Sequence, residues 1–166
     1  MEKKISYILD LRGKNELKNY IRYNNSYDEE IKDNYVINIP LEPEMNINIP
    51  YQQLYKTYLE DFCNEFKLIF EKYFLNSPKN RLIIHCEGGK DRTGVVIALL
   101  LDLLSIERDL IIEDYLLSYS DTKRNNIEAF FNTLDNEYGG AENYLTSYCK
   151  LSKETKNAIK EVLVKN

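Results

Sequence analysis

A cysteine and an arginine separated by five residues, Cys86 and Arg92, frame a short loop that contains two glycines. The loop follows an apolar run at residues 82–84, which predicts a strand buried on both faces. It precedes residues 93–104, which are almost wholly apolar, as expected of a helix surrounded by other elements. The predicted order is therefore strand, tight loop, helix.

A loop in this position is suited to binding an anion. The first N–H groups of a helix lack partners within the helix and point at one spot, and the helix dipole favours negative charge there. Gly88 and Gly89 allow the backbone to curl around a ligand, and the guanidinium of Arg92 matches two phosphate oxygens. The predicted phosphate-binding residues are Glu87, Gly88, Gly89, Lys90, Asp91 and Arg92.

Cys86 is expected at the floor of this loop, where it would meet a bound phosphate. A helix N-terminus and adjacent cations favour the thiolate form of a cysteine, and here Arg92, Lys90 and the hydroxyl of Thr93 would add to the loop N–H groups. A thiolate nucleophile beside a phosphate pocket can transfer a phosphoryl group through a phosphocysteine.

Residues 85–94, HCEGGKDRTG, resemble the signature loop of the protein tyrosine phosphatases. The ending Lys-Asp-Arg-Thr-Gly resembles a bacterial tyrosine and dual-specificity branch, some of whose members also accept phosphoinositides. The Asp-Leu-Arg at residues 10–12, and residues 114–118 and 138–145, resemble further parts of that branch. The resemblance implies a tyrosine-phosphatase-like fold with a helical C-terminal part, and a catalytic Cys86 and Arg92.

His85 is the only histidine of the chain. It precedes the loop on the predicted strand and should face away from the phosphate, so we expect it to orient the loop through hydrogen bonds. Lys90 is either a solvated loop residue or a contact to phosphate or substrate. Asp10 and Arg12 are expected to form a structural pair.

The general acid is open between two stretches. A tyrosinate leaving group needs a proton, which a carboxylic acid can give. In many relatives an aspartate on a separate loop does this, but the corresponding residues 40–44 offer Glu42 and Glu44 and no aspartate. The Lys-Asp pair of the resembled branch favours Asp91, whose alternative role is a salt bridge to a neighbouring cation.

Strands are predicted at residues 5–11, at residues 35–39 and at the apolar run 82–84, and they alternate with helices. Such alternation implies an α/β fold with a mostly parallel central sheet flanked by helices on both faces, and residues 1–166 are expected to form one domain. Ligands bind beyond the carboxyl ends of such strands. A helix after Pro50 should contribute apolar side chains to the core, namely Leu54, Tyr55, Tyr58, Phe62, Phe66, Ile69, Phe70 and Tyr73.

Composition restricts the partners. With 22 basic and 27 acidic residues the net charge is −5, which argues against nucleic acid or an anionic membrane as the main partner. The chain has no run of about 18 apolar residues, so no membrane insertion is expected, and its apolar start is too short for a signal peptide.

The cysteines are Cys63, Cys86 and Cys149. They show no metal-type spacing and form no even set, which predicts a reducing, cytoplasmic environment and no metal or cofactor. Cys63 is expected to be an inert packing residue, and no disulfide is expected from Cys86 to either of the others.

The predicted function is hydrolysis of a phosphomonoester, with a phosphotyrosine protein as the main substrate. A phosphorylated small molecule or lipid head group, such as an inositol phosphate or phosphoinositide, is the alternative; Lys90 favours it and the charge of Glu87 opposes it. A rhodanese-type sulfurtransferase usually holds its cysteine in a shorter loop. A non-catalytic phosphoprotein-binding module would not need both Cys86 and Arg92.

Overall fold

The computed structural model describes residues 5–23, 36–43, 49–76, 81–118 and 122–164. The three strands within these ranges are β1 (Ile5–Asp10), β2 (Val36–Asn38) and β3 (Arg81–His85). They form a sheet in the order β2-β1-β3, in which both pairings are parallel. The predicted parallel sheet is confirmed for this part of the chain.

The same residues form eight helices, two of which continue as π-helical turns. They are α1 (Lys14–Tyr23), α2 (Tyr51–Asp61), α3 (Cys63–Leu68, continuing over Ile69–Phe74), α4 (Asp91–Leu103), α5 (Arg108–Leu116), α6 (Arg124–Tyr138), α7 (Ala141–Asn143, continuing over Tyr144–Tyr148) and α8 (Lys153–Val164). The predicted helical C-terminal part is confirmed. No helix in the described ranges is long and apolar enough to cross a membrane.

The register of the sheet brings the carboxyl ends of all three strands together. Asp10 pairs with Asn38 on one side and with His85 on the other. The backbone N–H of Leu11 donates to His85 O at 2.8 Å, and that of Ile39 donates to Asp10 O at 2.9 Å. The loops that follow the strands therefore meet at one edge of the sheet.

The helices cover both faces of the sheet. The connections from β1 to β2 and from β2 to β3 run in opposite directions across it. Right-handed crossovers that run in opposite directions place their helices on opposite faces.

The prediction that β3 is buried on both faces is wrong at Ile83, which is 39% exposed. Since side chains alternate along a strand, Leu82 and Ile84 face the core and Ile83 faces the other way.

The core lies around α4, which is apolar on nearly every side. Its buried residues are Val95, Val96, Ala98, Leu99 and Leu103. The aromatic side chains of α2 and α3 pack there as predicted. The single helix predicted for this stretch is interrupted at Phe62, whose φ of −114° and ψ of 26° end α2 and begin α3.

Three helix ends are formed by a glycine, a serine side chain and a backbone carbonyl. Gly139 ends α6 with a φ of 72°, which glycine adopts readily, and Ser152 Oγ accepts a hydrogen bond from the N–H of Thr155 at the start of α8. Asn15 is of a residue type that often caps helices, but it does not cap α1, because the helix begins at Lys14 and the carbonyl of Gly13 accepts its first hydrogen bond. Residues 24–34, whose polar and charged composition predicts a solvated loop, lie outside the described residues.

Candidate active site

The loop after β3 places Cys86 and Arg92 as the sequence predicts. Cys86 is 6% exposed and follows the last residue of the strand. Gly89 has a φ of 66°, a conformation that other residues rarely adopt. Helix α4 begins at Asp91, so its first N–H groups face the loop.

Cys86, Asp91 and Arg92 line a cavity of about 680 Å³. Its loop side is formed by Cys86, Glu87, Gly88, Lys90, Asp91 and Arg92. Two other predicted site residues, Gly89 and Thr93, line a separate cavity of about 170 Å³ instead. The hydroxyl oxygen of Thr93 is buried and has no hydrogen-bond partner in the described structure.

Arg92 is held by Glu16, a residue that no motif in the sequence assigns to the site. Its Nη1 donates to Glu16 Oε2 at 2.5 Å and its Nη2 donates to Glu16 Oε1 at 2.6 Å. Burial opposes the charge of Glu16, but hydrogen bonds from Arg92 and from the N–H of Gly13 outweigh it and lower the pKa of Glu16 to about 2. The pKa of Arg92 is raised because the Glu16 hydrogen bond and charge outweigh burial. The pair fixes the plane of the guanidinium at the cavity.

Glu16 has a second role at the start of α1. Its Oε2 accepts the backbone N–H of Gly13 at 2.7 Å. This is the reach-back from the third helical residue to the residue before the helix that occurs in capping boxes. A glutamate three residues after Gly13 therefore indicates the start of a helix in the sequence. It does not indicate that the same glutamate binds Arg92.

Asp91 lines the cavity, and the hydroxyl of a buried tyrosine holds its carboxyl group in place. The hydroxyl of Tyr55 donates to Asp91 Oδ1 at 3.1 Å and lies 3.0 Å from the hydroxyl of Tyr115. Tyr55 is fully buried, and burial is the main reason that its pKa is raised far above the ordinary range. The neutral hydroxyl thus remains a donor to Asp91. The partner that the described structure gives Asp91 is this hydroxyl rather than a cation.

His85 lies beside the loop and does not line the cavity. Its Nδ1 is 3.1 Å from the carbonyl oxygen of Cys86, and its Nε2 is 3.9 Å from Asp10 Oδ2. Asp10 in turn forms a buried pair with Arg12, whose Nη2 is 2.6 Å from Asp10 Oδ2. The predicted Asp10–Arg12 pair is confirmed, and it links His85 to the strand end of β1.

Glu42 lies at the same cavity and packs across Gly13. A Cβ built on Gly13 would lie 1.9 Å from Glu42 Oε2, so a larger residue at position 13 would displace the flexible Glu42 carboxylate. Glu42 is exposed and lines the cavity. Glu44, the other alternative acid, lies outside the described residues.

The chain is similar to a known protein family and to two known proteins. The sequence profile of the tyrosine phosphatase family matches residues 1–127 and 119–165. The chain belongs to the tyrosine phosphatase family. It is 51% identical over 37 residues to a triple specificity protein phosphatase, PtpB, of Mycobacterium tuberculosis, a match that covers 22% of this chain and 13% of the relative.

A tyrosine-protein phosphatase of Nostoc commune is a second relative in the family, 35% identical over 54 residues. That match covers 32% of this chain and 18% of the relative. Both relatives are thus matched over less than a fifth of their own length. The matches place this family member near bacterial tyrosine phosphatases, as the signature loop predicted.

Among the acidic and basic side chains that line the cavity of this family member, the acidic ones are more numerous. They are Glu16, Glu42, Glu87 and Asp91, against the cations Lys90 and Arg92. A hydrogen bond to Glu16, with some burial, raises the pKa of Glu87. Across the described ranges, no group of three or more histidine, cysteine, aspartate or glutamate side chains is arranged to hold a metal ion.

The ion pair between Glu16 and Arg92 should make stability depend on pH. Because the pKa of Glu16 is lower in the folded chain than its unfolded value of about 4.3, the pair stabilises fully above that value and its contribution is lost as pH falls towards 2. We expect Glu16→Gln to cost ~1–2 kcal/mol at neutral pH, after allowance for solvent screening. Thermal unfolding of variant and wild type should converge as pH falls from 5 to 2.

A matched control is Glu113→Gln, which changes an exposed glutamate of α5. This variant should follow the wild-type pH profile throughout. A constant difference between Glu16→Gln and wild type over the whole pH range would mean that the carboxylate charge of Glu16 does not contribute.

Proposed function

We propose that the chain hydrolyses phosphomonoesters through a phosphocysteine on Cys86, with phosphotyrosine in proteins as its main substrate. The observation that carries the proposal is the arrangement of Cys86, Arg92 and Asp91 around one cavity at the start of α4. Membership of the tyrosine phosphatase family supports it. The named activities of the two relatives, tyrosine and triple specificity phosphatases, belong to the same class of chemistry.

In the proposed first step, Cys86 Sγ attacks phosphorus and the bond to the leaving oxygen breaks. The N–H groups of residues 87–92 and the guanidinium of Arg92 bind the equatorial oxygens. A guanidinium has five N–H groups, and Glu16 occupies two of them, so others remain for phosphate. Asp91 protonates the leaving oxygen.

In the second step, water attacks the phosphocysteine. The carboxylate of Asp91, which has given up its proton, takes one from this water, and the Cys86 thiolate and inorganic phosphate are released. The hydrogen bond from Tyr55 holds Asp91 at the cavity during both steps. Asp91 and the attacking water thus account for each proton that moves.

The remaining walls of the cavity favour an aromatic substrate. They are apolar and aromatic, and comprise Leu41, Pro43, Ile49, Tyr51, Leu54 and Tyr58. A phenyl ring attached to the phosphate can pack against such walls. The acidic residues at the same cavity would repel the additional phosphates of an inositol polyphosphate.

Lys90 supports a second candidate substrate. Its presence in the cavity lining offers a charge for a second phosphate, as on a phosphoinositide or a soluble inositol phosphate. Because one lysine faces four acidic side chains there, we rank these substrates below phosphotyrosine.

We further propose a cytoplasmic location, since a catalytic thiolate must stay reduced.

The deciding experiment measures turnover of p-nitrophenyl phosphate. We expect activity that vanadate blocks and that Cys86→Ser abolishes, because serine lacks a thiolate. Cys63→Ser is the matched control, since Cys63 does not line the cavity, and it should retain activity. Turnover that survives in Cys86→Ser would rule out the phosphocysteine.

Measurements of kcat/KM on several phosphorylated substrates then distinguish the two substrate classes. Phosphotyrosine peptides should be hydrolysed with a higher kcat/KM than phosphoinositides or soluble inositol phosphates. A Lys90→Met variant should keep its activity on phosphotyrosine peptides if Lys90 serves only an additional phosphate. Preferred hydrolysis of the inositol substrates would favour the second candidate.

A further inference from the structure

Two cysteines outside the active site lie in direct contact. Cys63 Sγ and Cys149 Sγ are 2.7 Å apart, although the residues are 86 positions apart in sequence. Both are free thiols, and neither lines the proposed substrate cavity. We propose that Cys63 and Cys149 form a reversible disulfide site, which a peroxide oxidises and which fastens α3 to the end of α7. This proposal does not depend on the proposed phosphatase activity.

The fold holds the two thiols together from both sides. Cys63 is the first residue of α3, directly after the interruption at Phe62. Cys149 ends the π-helical turn of α7, where its N–H donates to Tyr144 O at 3.0 Å. The hydroxyl of Tyr144 donates to Leu59 O at 2.7 Å and lies 3.5 Å from Cys63 Sγ. Tyr144 therefore ties the segment that carries Cys149 to the segment that carries Cys63.

The two thiols differ in exposure, and this difference determines which of them reacts first with the peroxide. Cys63 is half-buried, whereas Cys149 is only 3% exposed. The hydrogen bond from the Cys149 thiol, together with Tyr144 and against burial, lowers the pKa of Cys63 to about 7. The same contact and burial raise the pKa of Cys149. Cys63 is thus the thiolate that meets the oxidant, and Cys149 is the thiol that follows.

The reaction balances with one peroxide. Cys63 Sγ attacks a peroxide oxygen, the O–O bond breaks, and the products are a sulfenic acid on Cys63 and one water or alcohol. The Cys149 thiol then attacks Cys63 Sγ, the S–S bond forms, and the sulfenic oxygen leaves as water with the thiol proton. Two thiols supply the two electrons that reduce the peroxide, and an external thiol reverses the reaction.

The disulfide should stabilise the C-terminal part of the chain. It would link α3 to the segment that leads into α8, whose Ile159 is fully buried in the core. A cross-link between residues this far apart restricts the unfolded chain strongly. We expect the Tm to rise by about 10 °C on oxidation.

The test uses the full chain in wild-type form and as Cys86→Ser, which removes the third thiol. After treatment with hydrogen peroxide, Cys86→Ser should lose the mass of two hydrogen atoms and yield a proteolytic peptide that joins Cys63 to Cys149. Its Tm should rise, and dithiothreitol should reverse both changes. In the wild type the same cross-linked peptide should form, while Cys86 oxidises without joining either cysteine.

Single variants assign the two steps. In Cys149→Ser, Cys63 should react with a sulfenic acid probe and form no internal cross-link, and Cys63→Ser should leave Cys149 unmodified at the same peroxide concentration. The proposal is overturned if wild type and Cys86→Ser form no Cys63–Cys149 peptide, if Cys86 is found joined to either cysteine instead, or if the cross-linked chain shows no rise in Tm.

Discussion

Replacing Arg92 with lysine is expected to lower kcat/KM for phosphotyrosine substrates on the order of 10³-fold, although the positive charge is kept. Lysine is a point charge and cannot donate two parallel hydrogen bonds to a phosphate. A lysine ammonium also cannot reproduce the paired hydrogen bonds that Nη1 and Nη2 of Arg92 donate to the carboxylate of Glu16. Steady-state kinetics with a phosphotyrosine peptide measure the loss.

A matched control is Arg108→Lys. Arg108 pairs with Asp102 and Asp135 and does not line the cavity. This change keeps the charge at another arginine that is held by carboxylates, so it should affect stability and leave kcat/KM near the wild-type value. If Arg92→Lys also kept most of its kcat/KM, binding of phosphate through a planar guanidinium would be wrong.

The loop itself was predictable from the sequence because its parts are local. A strand, a glycine-containing turn and a helix follow each other within residues 81–103, and their order fixes where Cys86 and Arg92 face. The helix N-terminus was predicted within two residues, since it begins at Asp91. Local chain geometry leaves few alternatives for such a motif.

Glu16 and Tyr55 were not assigned to the site, for two different reasons. Glu16 reaches Arg92 across 76 positions of sequence, and its signal there is a helix cap, which many glutamates provide. Tyr55 was correctly predicted as core from its helical spacing, but that spacing reports only where the ring packs. Its hydroxyl reaches Asp91 from 36 positions away, a contact that depends on how α2 packs against α4.

The Cys63–Cys149 contact shows the same limit. Spacing along the chain reveals metal sites and short-range pairs, whereas these thiols meet through the packing of α7 against the end of α2, where the Tyr144 hydroxyl donates to Leu59 O. The sequence predicted Cys63 as an inert packing residue and gave no sign of its contact with Cys149. It could not show that the two stretches pack on each other.

Removal of the carboxyl group of Asp91 is expected to slow phosphotyrosine hydrolysis by ~10²–10⁴-fold, the range typical of general acid catalysis. Asp91 lines the cavity that holds Cys86 and receives a hydrogen bond from Tyr55, which keeps its carboxyl in place. In Asp91→Asn the leaving oxygen finds no proton donor. An aryl phosphate with a very acidic phenol hardly needs protonation, so the same variant should lose much less activity on it. The basic limb of the kcat profile against pH should also disappear.

Three further variants separate Asp91 from its alternatives. Glu42→Gln and Glu44→Gln should slow both substrates equally or not at all, and a selective loss on phosphotyrosine in either would move the acid to the loop after β2. Tyr55→Phe keeps the buried ring and removes the hydroxyl that holds Asp91, so it should show the selective pattern of Asp91→Asn at smaller size. If Asp91→Asn slowed the activated ester as much as phosphotyrosine, Asp91 would be shaping the loop, and the Tyr55 hydroxyl would be supporting that shape instead of a proton donor.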